Sequence, residues 1–264
     1  MISKQELIMS LGTPKQLQEL EIKILEEREK NKDLLKKEQE YARLVFSSKE
    51  KKIAKRKISF EQEMSFEDAC NSFKEIRIER GNEIRSNVNP EFRWTFNEYD
   101  LTIIENLLRY FINDPISKLS LHKGVWLFSK AGVGKSEFMN LFSIFCKKNK
   151  LSKSFDFINI SEEYTKARND KNCDNITKLS QGNKCFDEFL FQYGEVNSFG
   201  NKINLNEALI ESRYIKSQKY CQLTHLTSNV TPNEALSEKL LNLRIIDRLN
   251  SMCNLLFWEG DSKR

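Results

Sequence analysis

The stretch GVWLFSKAGVGKSEF, residues 124–138, constrains the fold more than any other part of the chain. Val125, Trp126, Leu127 and Phe128 form a short apolar run that reads as a buried strand. Residues 129–136 follow as a tight loop of small residues. Phe138, Leu141, Phe142 and Phe145 then recur at helical spacing. A strand, a glycine loop and Gly-Lys-Ser opening a helix make the layout of a phosphate-binding P-loop. Glycines let backbone N–H groups close on phosphate oxygens, and the helix N-terminus adds free N–H groups and its positive dipole end.

The loop residues Ala131, Gly132, Val133, Gly134, Lys135 and Ser136 are intact, and Glu137 is counted with this phosphate-binding set. Lys135 is expected to reach the β- and γ-phosphates of ATP, and Ser136 to offer its hydroxyl to Mg²⁺. The pattern G-x-x-x-x-G-K-[ST] departs at one place, where Ser129 holds the position of the first glycine. Serine suits a turn less well than glycine, so a slightly altered loop is expected. The plain alternative is a glycine-rich turn before a helix.

The chain has 264 residues, 39% hydrophobic and 31% charged, enough for one large core. No apolar run approaches the roughly 20 residues of a membrane span. The N-terminal MISKQELIMSLG lacks the apolar core of a signal peptide, so no membrane association and a cytoplasmic location are expected. Six cysteines, at 70, 146, 173, 185, 221 and 253, are scattered without a C-x-x-C pair. Reduced thiols fit that pattern better than a zinc site.

The net charge of +5 sits in residues 1–60, where 15 Lys and Arg face 10 Asp and Glu; the rest balances. The excess is the run KEKKIAKRK at 49–57. It could contact DNA phosphates or form the solvated face of a helix. Thr13-Pro14 reads as a helix start, and residues up to 57 hold neither Pro nor Gly beyond it. A broken helical arm is expected there, docking on a partner or on its own domain. A second helix is expected over 65–80 with Ser65 as cap, broken from Gly81 onward. The aromatic segment Phe92-Arg93-Trp94-Thr95-Phe96 suits packing beneath the core or stacking on a single-stranded base. Residues 100–113 read as an amphipathic helix.

Beyond the P-loop helix, strands are expected at 154–160, 183–189, 222–227 and 255–258, with helical segments between. Five strands in this alternation predict an α/β parallel sheet covered on both faces. Cys185-Phe186-Asp187-Glu188 resembles the end of a strand that delivers acids to a nucleotide. Asp187 would hold Mg²⁺ through its water shell, and Glu188 would orient or deprotonate the attacking water. A charged strand-to-loop junction is the alternative. Asn229, at a strand end, could hydrogen-bond the γ-phosphate or the water. His225, inside that strand, reads as structural. Arg244 and Arg248 share a helix face; Arg248 could reach ATP on a neighbouring subunit, or form a surface salt bridge.

The series GVWLFSKAGVGKS, CFDEF, FGNKINLNEALIESRY, THLTSNV and LRIIDRLNSMCNLLFWEGDSKR resembles the DnaC-type helicase loaders, which group with the IstB-like ATPases among AAA+ proteins. The resemblance spans residues 95–264. It implies a P-loop AAA+ core with a five-stranded parallel sheet over residues 91–264. A mostly helical partner-binding region, residues 1–90, would precede it. It implies Lys135 and Ser136 as the Walker A pair and Asp187 and Glu188 as the Walker B pair. Asn229 would be sensor 1, Arg248 an arginine finger acting in trans, and Arg264 the sensor 2 arginine on the nucleotide. The implied activity is ATP hydrolysis coupled to loading a hexameric replicative helicase onto single-stranded DNA, with self-assembly through the ATP sites. An IstB-like helper of a transposase and a nucleotide-gated adaptor with little hydrolysis are the alternatives.

Overall fold

The computed structural model describes residues 60–169, 178–191, 195–198 and 201–259. The expected arm over 13–57, the basic run at 49–57 and Arg264 lie outside the described residues. Those described belong to one compact unit beginning at Phe60. Among them no helix is long and apolar enough to cross a membrane.

Helix α1 spans Phe66–Asn87, and the Ser65 hydroxyl caps it by accepting from the Asp68 N–H. Helix α2, Glu98–Phe111, starts on a capping box between Asn97 and Asp100. Strand β1 is Gly124–Phe128, and helix α3, Lys135–Lys148, follows the loop. Then come β2 (Asp156–Asn159), α4 (Ile160–Asn169) and β3 (Lys184–Asp187). A two-stranded hairpin, β4 (Glu195–Ser198) and β5 (Asn201–Asn204), leads into α5 (Leu205–Tyr220). The chain continues through β6 (Thr224–Ser228), α6 (Pro232–Ser237), α7 (Leu243–Met252) and β7 (Cys253–Phe257).

The large sheet has the order β2-β3-β6-β1-β7, and every pairing is parallel. The expected α/β parallel sheet of five strands is therefore present. β1 is buried along its whole length, as a central parallel strand must be. Alternate residues feed two cores. Val125, Leu127 and Cys185 meet Phe73, Phe111, Phe138 and Phe142 from α1, α2 and α3. Trp126, Phe186 and Leu226 meet Leu209, Ile210, Ile245 and Leu249 from α5 and α7 on the other face. β1 and β6 approach closely at Gly124, where a Cβ would stand 1.8 Å from the Thr224 carbonyl oxygen.

His225 sits in the first core among the Tyr110, Phe111 and Phe155 rings. It is fully buried, neither ring nitrogen has a hydrogen-bond partner, and burial pushes its pKa down to about 3. It is thus a neutral packing residue.

Three expectations differ from the fold. α1 does not break at Gly81 but runs seven residues beyond Arg80, to Asn87. Glycine's poor helix propensity is what predicts a break there. In the fold, Gly81 is kept bare by the Trp94 indole, whose Nε1 would stand 2.9 Å from an added Cβ. α5 runs to Tyr220, where the sequence pattern predicts a helix over 204–214, and ends with Cys221 in the left-handed region at φ 56°. The hairpin β4–β5 was not anticipated, because short polar strands such as NKIN carry no apolar alternation.

Gly81→Ala should therefore lower stability. The helix gains about 1 kcal/mol of propensity, but the overpacked indole costs about 1–3 kcal/mol. A net loss of about 1 kcal/mol is expected in urea unfolding, with a displaced Trp94 fluorescence signal. An unchanged or raised midpoint would show that Trp94 does not hold this position.

Candidate functional site

All five parallel strands end on one side of the sheet, at Phe128, Asn159, Asp187, Ser228 and Phe257. Ligands of open α/β sheets bind at that edge. A cavity of about 480 Å³ opens there. Its lining includes Ala131, Gly132, Val133, Gly134, Lys135, Ser136 and Glu137 from the loop and the start of α3. Glu188 and Asn229, from the ends of β3 and β6, join them. Residues far apart in sequence are thus brought to one cleft by the strand order.

The loop shows why its glycines are where they are. Gly132 has φ 89° and Gly134 φ 102°, in the left-handed region that side chains resist. Gly134 is also the N-cap of α3, which has no side-chain cap. Ser129 is not among the residues with positive φ. The departure from glycine therefore falls at a position where no left-handed φ is required. Ser129 continues the β1–β6 ladder instead, its N–H donating to the Ser228 carbonyl at 3.2 Å.

Lys135 is 5% exposed, and its ammonium is enclosed by oxygen. Nζ lies 2.8 Å from Asn229 Oδ1, 3.0 Å from Ser129 Oγ, 3.0 Å from the Lys130 carbonyl and 3.2 Å from the Ser129 carbonyl. Asp187 is buried on β3 and accepts a hydrogen bond from the Thr227 hydroxyl. The same hydroxyl oxygen accepts from the Glu188 N–H at 3.1 Å, and the Phe189 N–H donates to the Thr227 carbonyl at 2.8 Å. Glu188 has φ 57°, so the chain turns sharply after Asp187 and directs the second acid to the cavity rather than along the strand. Asp187 itself does not line the cavity.

Four features of the site escaped the sequence reading. Thr227, also lining the cavity, fixes both acids; its only sequence signal is a polar residue on an apolar strand. Phe191, 63% exposed, stands at the cavity after the two acids. Trp258 is buried beside Phe138 with ring centroids 4.5 Å apart, and its Nε1 donates to Asp100 at 2.6 Å. Glu137, in the first turn of α3, pairs with Arg80 of α1 at 2.6 Å; this hydrogen bond raises the arginine's pKa and keeps it charged. The aromatic segment meets one of its two expected surroundings, packing against the core, and also borders the cavity. Trp94 and Phe96 pack partly against the first core, and residues 92–96 also line the cavity.

Arg248 is not in the cavity lining of its own chain. Its Nη1 donates to Glu211 at 2.6 Å, and the guanidinium lies 5.1 Å above the Tyr214 ring. The side chain is 16% exposed, whereas Arg244, one turn earlier, is 71% exposed and 3.6 Å from the same carboxylate.

No protein-family model and no curated protein matches the sequence. Among solved structures, the chain is similar to DnaI, with 14% identity, a TM-score of 0.49, and coverage of 66% of this chain and 89% of that one. A candidate primosome component from Streptococcus pyogenes serotype M3 aligns with 15% identity and a TM-score of 0.48, covering 64% of this chain and 84% of that one. The DnaC helicase loader aligns with 12% identity and a TM-score of 0.45, covering 64% and 95%.

Proposed function

We propose that this chain is an ATP-binding and ATP-hydrolysing P-loop protein of the DnaC type that loads a hexameric replicative helicase onto single-stranded DNA in the cytoplasm. The observation that carries the reading is the convergence of Lys135, Ser136, Glu188 and Asn229 on one cavity at the C-terminal edge of a parallel sheet. The order of motifs in the sequence supplies the loader assignment.

ATP would enter with its phosphates over the loop and its base beside Phe92, Trp94 and Phe96, flat apolar faces that suit a purine. The N–H groups of the first turn of α3 would hold the phosphates. Ser136 would offer its hydroxyl to Mg²⁺, and Asp187, set back from the cavity, would hold the ion through its water shell, both being hard oxygen donors. Mg²⁺ would neutralise charge on the transferring phosphoryl group. Glu188 would orient and deprotonate the water, and Thr227 would hold the turn that aims it. Asn229 would hydrogen-bond the γ-phosphate or that water.

The trans arginine belongs to the Arg244–Arg248 face of α7. Arg248 would act in trans on parting from Glu211 and Tyr214, with the more exposed Arg244 as the second candidate on that face. Arg248→Ala should lower turnover by about 10- to 100-fold, the loss of a hydrogen bond to a charged group, with ATP affinity retained. Mixing it with Lys135→Ala subunits should restore part of the activity. No restoration in mixed assemblies, with both proteins folded, would remove the trans role.

The N-terminal region, residues 1–90, would grip the partner, with α1 the part anchored on α3. The assignment is tested by MgATP hydrolysis with and without single-stranded DNA and by pull-down with a replicative helicase. Stimulated turnover and helicase capture are expected. Capture of a transposase alone would turn the reading to an IstB-like helper. Nucleotide binding without turnover would turn it to a gated adaptor.

A further inference from the structure

Ser129 stands where the P-loop pattern has glycine, yet its backbone does not need one. The side chain is 3% exposed and points inward. Its hydroxyl donates to the Lys130 carbonyl at 2.9 Å and accepts from Lys135 Nζ at 3.0 Å. On the other side of the same ammonium, Asn229 Oδ1 accepts at 2.8 Å. A glycine at 129 would supply only the main-chain carbonyl.

An ammonium has three protons and no lone pair. Among the described residues, Lys135 Nζ contacts oxygens of Ser129, Lys130 and Asn229, two from main-chain carbonyls and two from side chains. Reaching the β- and γ-phosphates requires two of those protons for phosphate oxygens. One proton then remains for the protein, so at least two of its present acceptor contacts must be released. The main-chain carbonyls of 129 and 130 can leave the ammonium only if the loop backbone itself moves. The two side-chain acceptors, Ser129 Oγ and Asn229 Oδ1, are those free to part from the ammonium.

We infer that Ser129 is a positioning residue which, with Asn229, latches Lys135 in a retracted arrangement that nucleotide must displace, so that phosphate binding also releases Asn229 to face the γ-phosphate. The inference rests on the nucleotide-binding reading above. It makes the serine a restraint on the lysine, one that a glycine loop lacks. The restraint lowers affinity for every ligand that recruits the lysine and leaves the aromatic end of the cavity untouched.

The test measures MgATP and adenosine binding to the full chain for wild type, Ser129→Ala, Ser129→Gly and Ser129→Thr, each also made with Lys135→Ala. Deleting the hydroxyl should tighten MgATP binding by about 3- to 10-fold, the scale of one net hydrogen bond. Ser129→Thr should return towards wild type. Adenosine affinity should not move, and with Lys135→Ala the hydroxyl should make no difference to MgATP. Unchanged or weaker MgATP binding in both hydroxyl-deleting variants, with melting curves that show a folded protein, overturns the latch. So does a gain that persists without Lys135. If wild type binds no nucleotide at all, the nucleotide-binding reading fails with it; if wild type binds and the variants match it, only the latch fails.

Discussion

Lys135→Ala is expected to weaken MgATP binding by about 100-fold and bring turnover to background. A charge-assisted hydrogen bond is worth up to about 3 kcal/mol, and the lysine would make such bonds to two phosphates. The substitution also empties a buried position, since Nζ contacts both Ser129 and Asn229. Two consequences must therefore be separated. Losing the ammonium leaves Asn229 Oδ1 and Ser129 Oγ without this donor, which changes the empty protein. The melting temperature of the nucleotide-free variant reports that part, while the shift on adding MgATP reports the phosphate contact. Wild type should gain stability on saturation, because a ligand bound only to the native state stabilises it by mass action. The variant should not. An equal MgATP-induced shift in both proteins would mean that this loop does not hold phosphate.

Glu188→Gln should keep MgATP affinity and lose about 10²- to 10⁴-fold in turnover, the range for a positioned general base. Glutamine retains the shape and can still orient water, but accepts no proton at neutral pH. The split between binding and turnover is the useful readout. Thr227 donates to Asp187 and accepts from the Glu188 N–H, so the turn at Glu188 does not depend on its own carboxylate. The variant should therefore fold as wild type does. Turnover within a few-fold of wild type would exclude Glu188 as the base and leave the two acids a structural strand end.

Much of the site was legible because its pieces are local. The strand, loop and helix of residues 124–138 follow from apolar periodicity and from glycines at 132 and 134, where the backbone turns left-handed. The Asp187-Glu188 pair was weaker, with a strand of only four residues, KCFD, to mark it. In sequence Ser129 looks like a cost to the loop, and only the φ angles show that the left-handed positions are 132 and 134. Gly81 looks like a helix break, since nothing near it in sequence announces the Trp94 ring that covers it. Arg248 was legible as one of two arginines on a helix face, but its engagement by Glu211, 37 residues away, was not.

The sequence by itself determined the parallel α/β class, the glycine loop between β1 and α3 and the pair of acids that ends β3. These rest on short-range terms: side-chain periodicity, backbone freedom at glycine and the chemistry of individual groups. The tertiary structure alone decided which of them meet. It set Asn229 on the ammonium of Lys135 across 94 residues and Thr227 on Asp187 across 40. It also turned the aromatic segment 92–96 to the cavity and left Arg244 exposed while Arg248 was tied down. Strand order and helix packing make those choices, because they minimise exposed apolar area over the whole core and no short window of sequence contains that sum.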